Sequence, residues 1–333
     1  MPINGSAQGS GASPFVWLFY YDPLLNALQK NFPHSAVVKH PAHSITDFPQ
    51  IDQQAKCLAD DLGQQTIARS ETAAIASAQQ TAKVSCAFMS ASGGFFNPTK
   101  CSWNLLSWKH NSKTDHYTLK TIADSPADLL LPNQAGLLAP VPRSEPWEPR
   151  RTLGVHIDSA NNWTHQFHLL LPIAREKARI LKYSRLSSSN SWLGYSQFIQ
   201  PAITYSLESH RMPASKINEL QSRPRQALLN QIGLPITTAL PLLAATNRFQ
   251  GLNIRHWSTH TEAKQINRFL LHISLHDNLG ISMASSMART QIEVGSQHHF
   301  LTLDIATWGF LASDTHIRHI WQICQSHDIV IQG

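Results

Sequence analysis

The sequence predicts an α+β protein in which a mixed portion of short strands and helices precedes a mostly helical one. Three observations carry this. Up to about residue 160, short apolar segments alternate with Pro- and Gly-rich stretches, the punctuation of small strands and turns. From Thr164 to about residue 275, long stretches repeat apolar residues at helical spacing between Pro and Gly breaks. The remainder is a shorter mixed segment. At 333 residues the chain is long enough for two domains. The expected divisions are 1–160, 161–275 and 276–333, with no internal repeat.

Taken in order, residues 5–13 form a small-residue loop. Ser13-Pro14 then reads as a helix cap followed by Pro at the first helical position. Phe15, Leu18, Phe19, Leu25 and Leu28 continue at helical spacing, with Pro23 expected to kink or divide the helix. Residues 32–50, rich in Pro, read as loop. Residues 54–60 suggest a short strand leading into Asp60 and Asp61. From Thr66 to Met89, Ala and Gln dominate, and Ile67, Ala74, Ile75, Ala78, Ala82 and Phe88 suggest an amphipathic helix. "SGGFFNPTKCSWNLLSW" gives two turns and a short apolar strand around Trp103–Trp108. Residues 109–150 read as loop-rich, with six prolines from Pro126 to Pro149, and "RTLGVHID" as a compact strand and turn.

Composition narrows the function classes. The net charge of +6 favours an acidic partner such as nucleic acid or an anionic membrane surface, without separating the two. The four cysteines show no C-x-x-C spacing, so neither a zinc site nor a disulfide framework is expected, and a reducing compartment is the simpler reading. His165, His168, His298 and His299 lack matching ligands nearby and read as surface histidines. There is no signal-peptide pattern and no apolar run of membrane-spanning length, so the expected location is intracellular, cytoplasm or nucleus, without membrane partners. Asn162-Trp163-Thr164 matches a glycosylation sequon and is read as chance.

Three segments carry chemistry by their order: "QGSGASP" at 8–14, "ADD" at 59–61 and "GGFFNPTKCSW" at 93–103. A glycine loop lets backbone approach a flat ligand, an Asp at a strand turn holds a divalent metal, and a Lys on a following turn meets phosphate. Together they supply what phosphoryl transfer from a nucleotide needs. Each segment alone has a plainer reading: a helix-entry loop, a solvated acidic turn, an exposed Lys.

In this order the segments resemble the later part of a reverse transcriptase domain of the retrotransposon type. Gln8-Gly9 with Ser13-Pro14 resembles the family's nucleotide- and template-contacting "QG…SP" motif. Ala59-Asp60-Asp61 resembles its catalytic Tyr-Ala-Asp-Asp turn, with Leu58 where Tyr often stands. Gly94, Asn97, Pro98 and Lys100 resemble the turn motif that follows. Leu153-Gly154 resembles the "LG" hairpin that grips the primer. "LLNQIGLP" (228–235) and "RFQGLNI" (248–254) are similar to the region after the palm; there the second usually reads "GGLG", and here Gln250 and Asn253 replace two glycines.

The resemblance implies a partial polymerase palm, an antiparallel sheet with helices, followed by a helical thumb-like region. It implies RNA or DNA template–primer and deoxynucleotides as partners, and two Mg²⁺ ions as cofactor. It makes Asp60 a metal ligand, Asp61 a looser one, and Lys100 a group that neutralises or protonates pyrophosphate. The family's other catalytic carboxylate lies upstream of the "QG" loop, and none of the seven residues before Gln8 is Asp or Glu. The isolated chain is therefore expected to be an inactive fragment; the alternative is a non-catalytic nucleic-acid-binding relic. Independently, Arg175, Arg179 and Lys182 fall at i, i+4 and i+7 beside an apolar stripe of Leu170, Ala174, Ala178 and Leu181. That face suits a helix meeting phosphates; a solvated face is the other reading.

Overall fold

The computed structural model describes residues 13–32, 37–39, 50–52, 55–58, 61–113, 115–159, 161–249 and 251–331. The protein is α+β: helices dominate, and the strands among the described residues form separate two-stranded antiparallel pairs. The chain divides into two compact units, Met1–Glu148 and Pro149–Gly333.

In the first unit, α1 spans Ser13–Asn31, with Pro14 in its first turn and Pro23 inside it. Pro23 does not divide the helix. Tyr21, Leu24 and Leu28 lie on both sides of it and are buried. Their burial, roughly 1.5–3 kcal/mol for each large apolar side chain, outweighs the ~3 kcal/mol cost of an internal proline. Where loop was expected, β1 (Val37–Lys39) pairs with β2 (Gln50–Asp52). β3 (Ala55–Leu58) pairs with β4 (Asp61–Gln64). α2 spans Glu71–Ala91 rather than starting near Thr66, because Ser70 caps it by accepting from Ala73 N; Ile67 stays outside the helix and exposed.

The rest of this unit is a set of ribbons pinned to α2. β5 (Trp108–Asn111) pairs with β6 (His116–Leu119), and β7 (Leu130–Pro132) with β8 (Leu138–Pro140). These short strands lie almost entirely within the stretch expected to be loop-rich. The expected apolar strand at 103–108 is only an isolated bridge from Trp103 to Arg143, and β5 is exposed throughout. Gln79 on α2 satisfies both backbone groups of Leu130, at 2.7 and 2.9 Å. Glu71 binds Lys120 and Ser125, closing the 104–125 segment onto the start of α2. Ala82, Leu131 and Val141 form the small core beneath.

In the second unit, β9 (Arg150–Thr152) and β10 (Val155–Ile157) form a hairpin. The expected boundary near residue 160 would separate this hairpin from the helices it belongs with. Then come α3 (Thr164–Tyr183), α4 (Ser188–Gly194), a π-helical turn (Tyr195–Ile199) that runs directly into α5 (Gln200–Leu207), and α6 (Ala214–Gln231). α7 (Leu240–Ala244) and α8 (Trp257–Leu275) complete the first core. α3 packs along α6, and Leu170, Ala174, Ala178 and Leu181 are all buried there. Tyr195 stacks on Trp257 at 6.1 Å, and burial pushes its hydroxyl up to about 12.

Residues 276–331 are helical among the described residues rather than mixed: α9 (Asn278–Val294), α10 (Ile305–Trp308) and α11 (His316–Ser326). They build a second core on α8 around Phe300 and Trp321, whose rings meet edge to face at 5.4 Å. No helix among the described residues is long and apolar enough to cross a membrane.

Candidate metal and nucleic-acid site

The aspartate motif lies at a hairpin. In the β3–β4 ladder Leu58 faces Asp61 and Cys57 faces Leu62, so only Ala59 and Asp60 link the strands in the chain. Ala59 and Asp60 lie outside the described residues, as do Gln8 and Gly9. Two anchors hold the ladder. Leu62 packs into the cluster of Tyr21, Leu24 and Leu28. Gln64 donates to Ser85 Oγ on α2 at 2.5 Å. α1 also packs on β3. The helix that carries Ser13-Pro14 and the hairpin that carries Asp61 therefore share one core, which the sequence motifs alone do not require.

Lys100 ends a short 3₁₀ turn, Pro98–Lys100, and is exposed. Asn97 shapes the turn: its Oδ1 accepts from Thr99 N at 3.1 Å and from Thr99 Oγ1 at 2.8 Å. Pro98 is buried beneath, and Cys101 and Trp103 pack on the Ala82 cluster. The turn thus presents Lys100 outward from a fixed base. No group of three His, Cys, Asp or Glu side chains that could hold a metal occurs among the described residues. By donor chemistry, Asp60 and Asp61 are the pair suited to Mg²⁺, a hard cation that takes carboxylate oxygen.

The second unit carries the other expected contacts. Thr152 pairs with Val155, so Leu153 and Gly154 are the two residues of the β9–β10 turn. Both have positive φ, 51° and 83°, the signature of a type I′ hairpin turn. The Leu153 side chain is exposed. A residue outside the sequence motifs holds this turn: Tyr205 on α5 donates its hydroxyl to Leu153 O at 3.1 Å. Fifty-two residues separate the partners, so no local pattern links them.

On α3, Arg175, Arg179 and Lys182 are exposed beside the buried stripe. They are not equivalent. Glu176 accepts from Arg179 Nε at 2.8 Å and Nη2 at 2.7 Å. This fork raises the Arg179 pKa and lowers that of Glu176, in both cases chiefly through the hydrogen bond between them. The signal was legible, since Glu176 stands three residues before Arg179. Lys182 Nζ lies over the Tyr183 ring, 5.4 Å from its centroid.

The loop at Gly251–Ile254 wraps on α7. Asn253 N donates to Ala245 O at 2.8 Å, and Ile254 N to Leu243 O at 2.7 Å. A Cβ on Gly251 would stand 2.1 Å from Ala245 O, so only glycine fits. Asn253 has φ 50°, the left-handed region that glycine enters most easily and Asn next. The Asn that departs from "GGLG" therefore occupies a position with a glycine-like backbone. No known family model matches the chain, and no curated protein matches it.

Proposed function

We propose that the chain belongs to a reverse transcriptase of the retrotransposon type. It would contribute the palm's aspartate hairpin and a thumb-like helical region to Mg²⁺-dependent, template-directed nucleotidyl transfer. The observation that carries this is the β3–β4 register, which pairs Leu58 with Asp61, the second Asp of the Ala-Asp-Asp motif, on a ladder packed against α1. Two further features support it, the type I′ turn at Leu153-Gly154 and the left-handed Asn253 in the "GGLG" position.

In this reading Asp60 and Asp61 would hold the metal, which would supply Lewis-acid activation of a primer hydroxyl and charge stabilisation of pyrophosphate. Lys100 offers its ammonium to the pyrophosphate. Gln8, Gly9, Ser13 and Pro14 line the nucleotide and template side. Leu153-Gly154 meets the primer, and Arg175, Arg179 and Lys182 meet backbone phosphates.

Mn²⁺ titration of the whole chain, followed by electron paramagnetic resonance with an RNA–DNA duplex present, tests the reading. Asp60→Ala should remove the tightest-bound Mn²⁺ while leaving duplex affinity in metal-free buffer within about twofold, since the substitution removes no Lys or Arg that would meet a phosphate. Unchanged Mn²⁺ binding in the variant would overturn the catalytic assignment. Retained duplex binding would then favour a non-catalytic nucleic-acid binder.

A further inference from the structure

We infer that Tyr205 is the positioning residue of the Leu153-Gly154 turn, holding its tip in the conformation that meets a primer 3′ end; this rests on the function proposed above. A leucine in the left-handed region is strained by its Cβ, so Leu153 holds φ 51° only if its surroundings compensate. Tyr205 supplies the compensation at two points. Its hydroxyl donates to Leu153 O at 3.1 Å. Its ring edge stands against Gly154, with Cε1 3.9 Å from where a Cβ would be.

The rest of the hairpin is anchored separately. His156 N donates to Gln166 Oε1 at 3.0 Å, and His210 Nε2 lies 2.9 Å from His156 O. These contacts fix β10, so Tyr205 governs the tip alone.

The path to Tyr205 also carries an irregularity. The π-helical turn at Tyr195–Ile199 closes with Gln200 N bonded to Tyr195 O, one residue more than an α-helical turn. An extra residue rotates the following helix by about 100° relative to an unbroken α-helix. With it, Tyr205 faces the hairpin while Thr204 and Ser206 are buried. Such turns recur at functional sites because the register shift aims a side chain that a regular helix would misdirect. Tyr205 itself remains 59% exposed, which is more than a purely structural aromatic needs.

The test uses the whole chain with Tyr205→Phe, which keeps the ring, and Tyr205→Ala. Binding of an RNA–DNA duplex with a recessed 3′ end is compared with binding of a blunt duplex, and amide exchange is followed at Val155. The wild-type chain should prefer the recessed end. Tyr205→Phe should lower that preference about fivefold, the worth of one net hydrogen bond, and speed exchange at Val155, with blunt-duplex binding unchanged and the thermal midpoint lowered by no more than about 4 °C. If both variants keep the wild-type preference, or if only the midpoint falls, the positioning role is overturned and the function proposed above stands. If the wild-type chain itself ignores the recessed end, that role of the hairpin and this inference fall together.

Discussion

The cations of α3 give the sharpest quantitative test, because the structure ranks them. Arg175 and Lys182 lie seven residues apart, about 10 Å along the helix at 1.5 Å per residue. Both are exposed and neither forms an ion pair among the described residues. Arg179, between them, is forked onto Glu176. Each phosphate contact contributes about 0.9 to the slope of log affinity against log salt, or about eightfold in affinity at 0.1 M. Arg175→Ala and Lys182→Ala should each lower the slope by about that amount, and the pair together by about 1.8. Arg179→Ala should cost clearly less, since part of its charge is already answered. Glu176→Ala should act in the opposite direction, tightening binding and steepening the slope. Fluorescence anisotropy with an RNA–DNA duplex between about 0.05 and 0.3 M salt reads all four. Stability should change by no more than about 0.5 kcal/mol, because these are surface positions. Slopes that stay at the wild-type value in Arg175→Ala and Lys182→Ala would refute the phosphate assignment. A loss in Arg179→Ala as large as in Arg175→Ala would refute the ranking.

Two further predictions concern the helical unit. Gly251→Ala should destabilise by about 3 kcal/mol in chemical denaturation, because relieving the Cβ overlap with Ala245 O opens the backbone bonds around it; a change under about 0.5 kcal/mol would contradict this. Stability should also fall as pH is lowered from about 6.5, the unfolded-state value for histidine. His316 is pushed down to about 4, first by the protein packed around its ring and then by His319, Arg211 and Arg268; the residue as a whole is exposed, so solvent screens part of this shift. His319 is lowered by burial and by Arg211. The unfolded chain takes up these protons more readily, so the loss accumulates between about 6.5 and 4 and levels off below. Denaturation midpoints across that range should flatten in a His316→Gln, His319→Gln double variant.

Features set by local pattern were legible in the sequence. The buried stripe of α3 follows from apolar spacing, and the Leu153-Gly154 turn follows from strand residues around a two-residue link. What could not be read depends on distant partners. Pro23 stays inside α1 because of packing against Leu62, Val84 and Phe88. β1 and β2 are three residues each, too short for periodicity to register. The region after 275 looked mixed because α9 to α11 are separated by 3₁₀ turns at Phe300–Thr302 and Gly309–Leu311 that interrupt the helical period. Tyr205 was invisible for the same kind of reason: its meaning lies in a carbonyl far back in the chain.

The two hairpins solve opposite problems with the same length of link. At Leu153-Gly154 the difficulty is conformational, a leucine in left-handed backbone, and the protein answers it internally through Tyr205. At Asp60-Asp61 the difficulty is electrostatic. Adjacent carboxylates repel each other: two like charges about 4 Å apart cost about 1 kcal/mol in water and about 4 kcal/mol at an effective dielectric constant of about 20. A divalent cation would reverse that sign, so the proposed metal role predicts a pair stabilised by the ion. This gives the Asp60 test a second edge. Asp60→Asn removes the repulsion with little change of shape, so in metal-free buffer the variant should be at least as stable as the wild-type chain. With Mn²⁺ present the order should reverse, since only the wild-type pair gains from the ion. An acidic pair that served only as a solvated turn would show no such crossing.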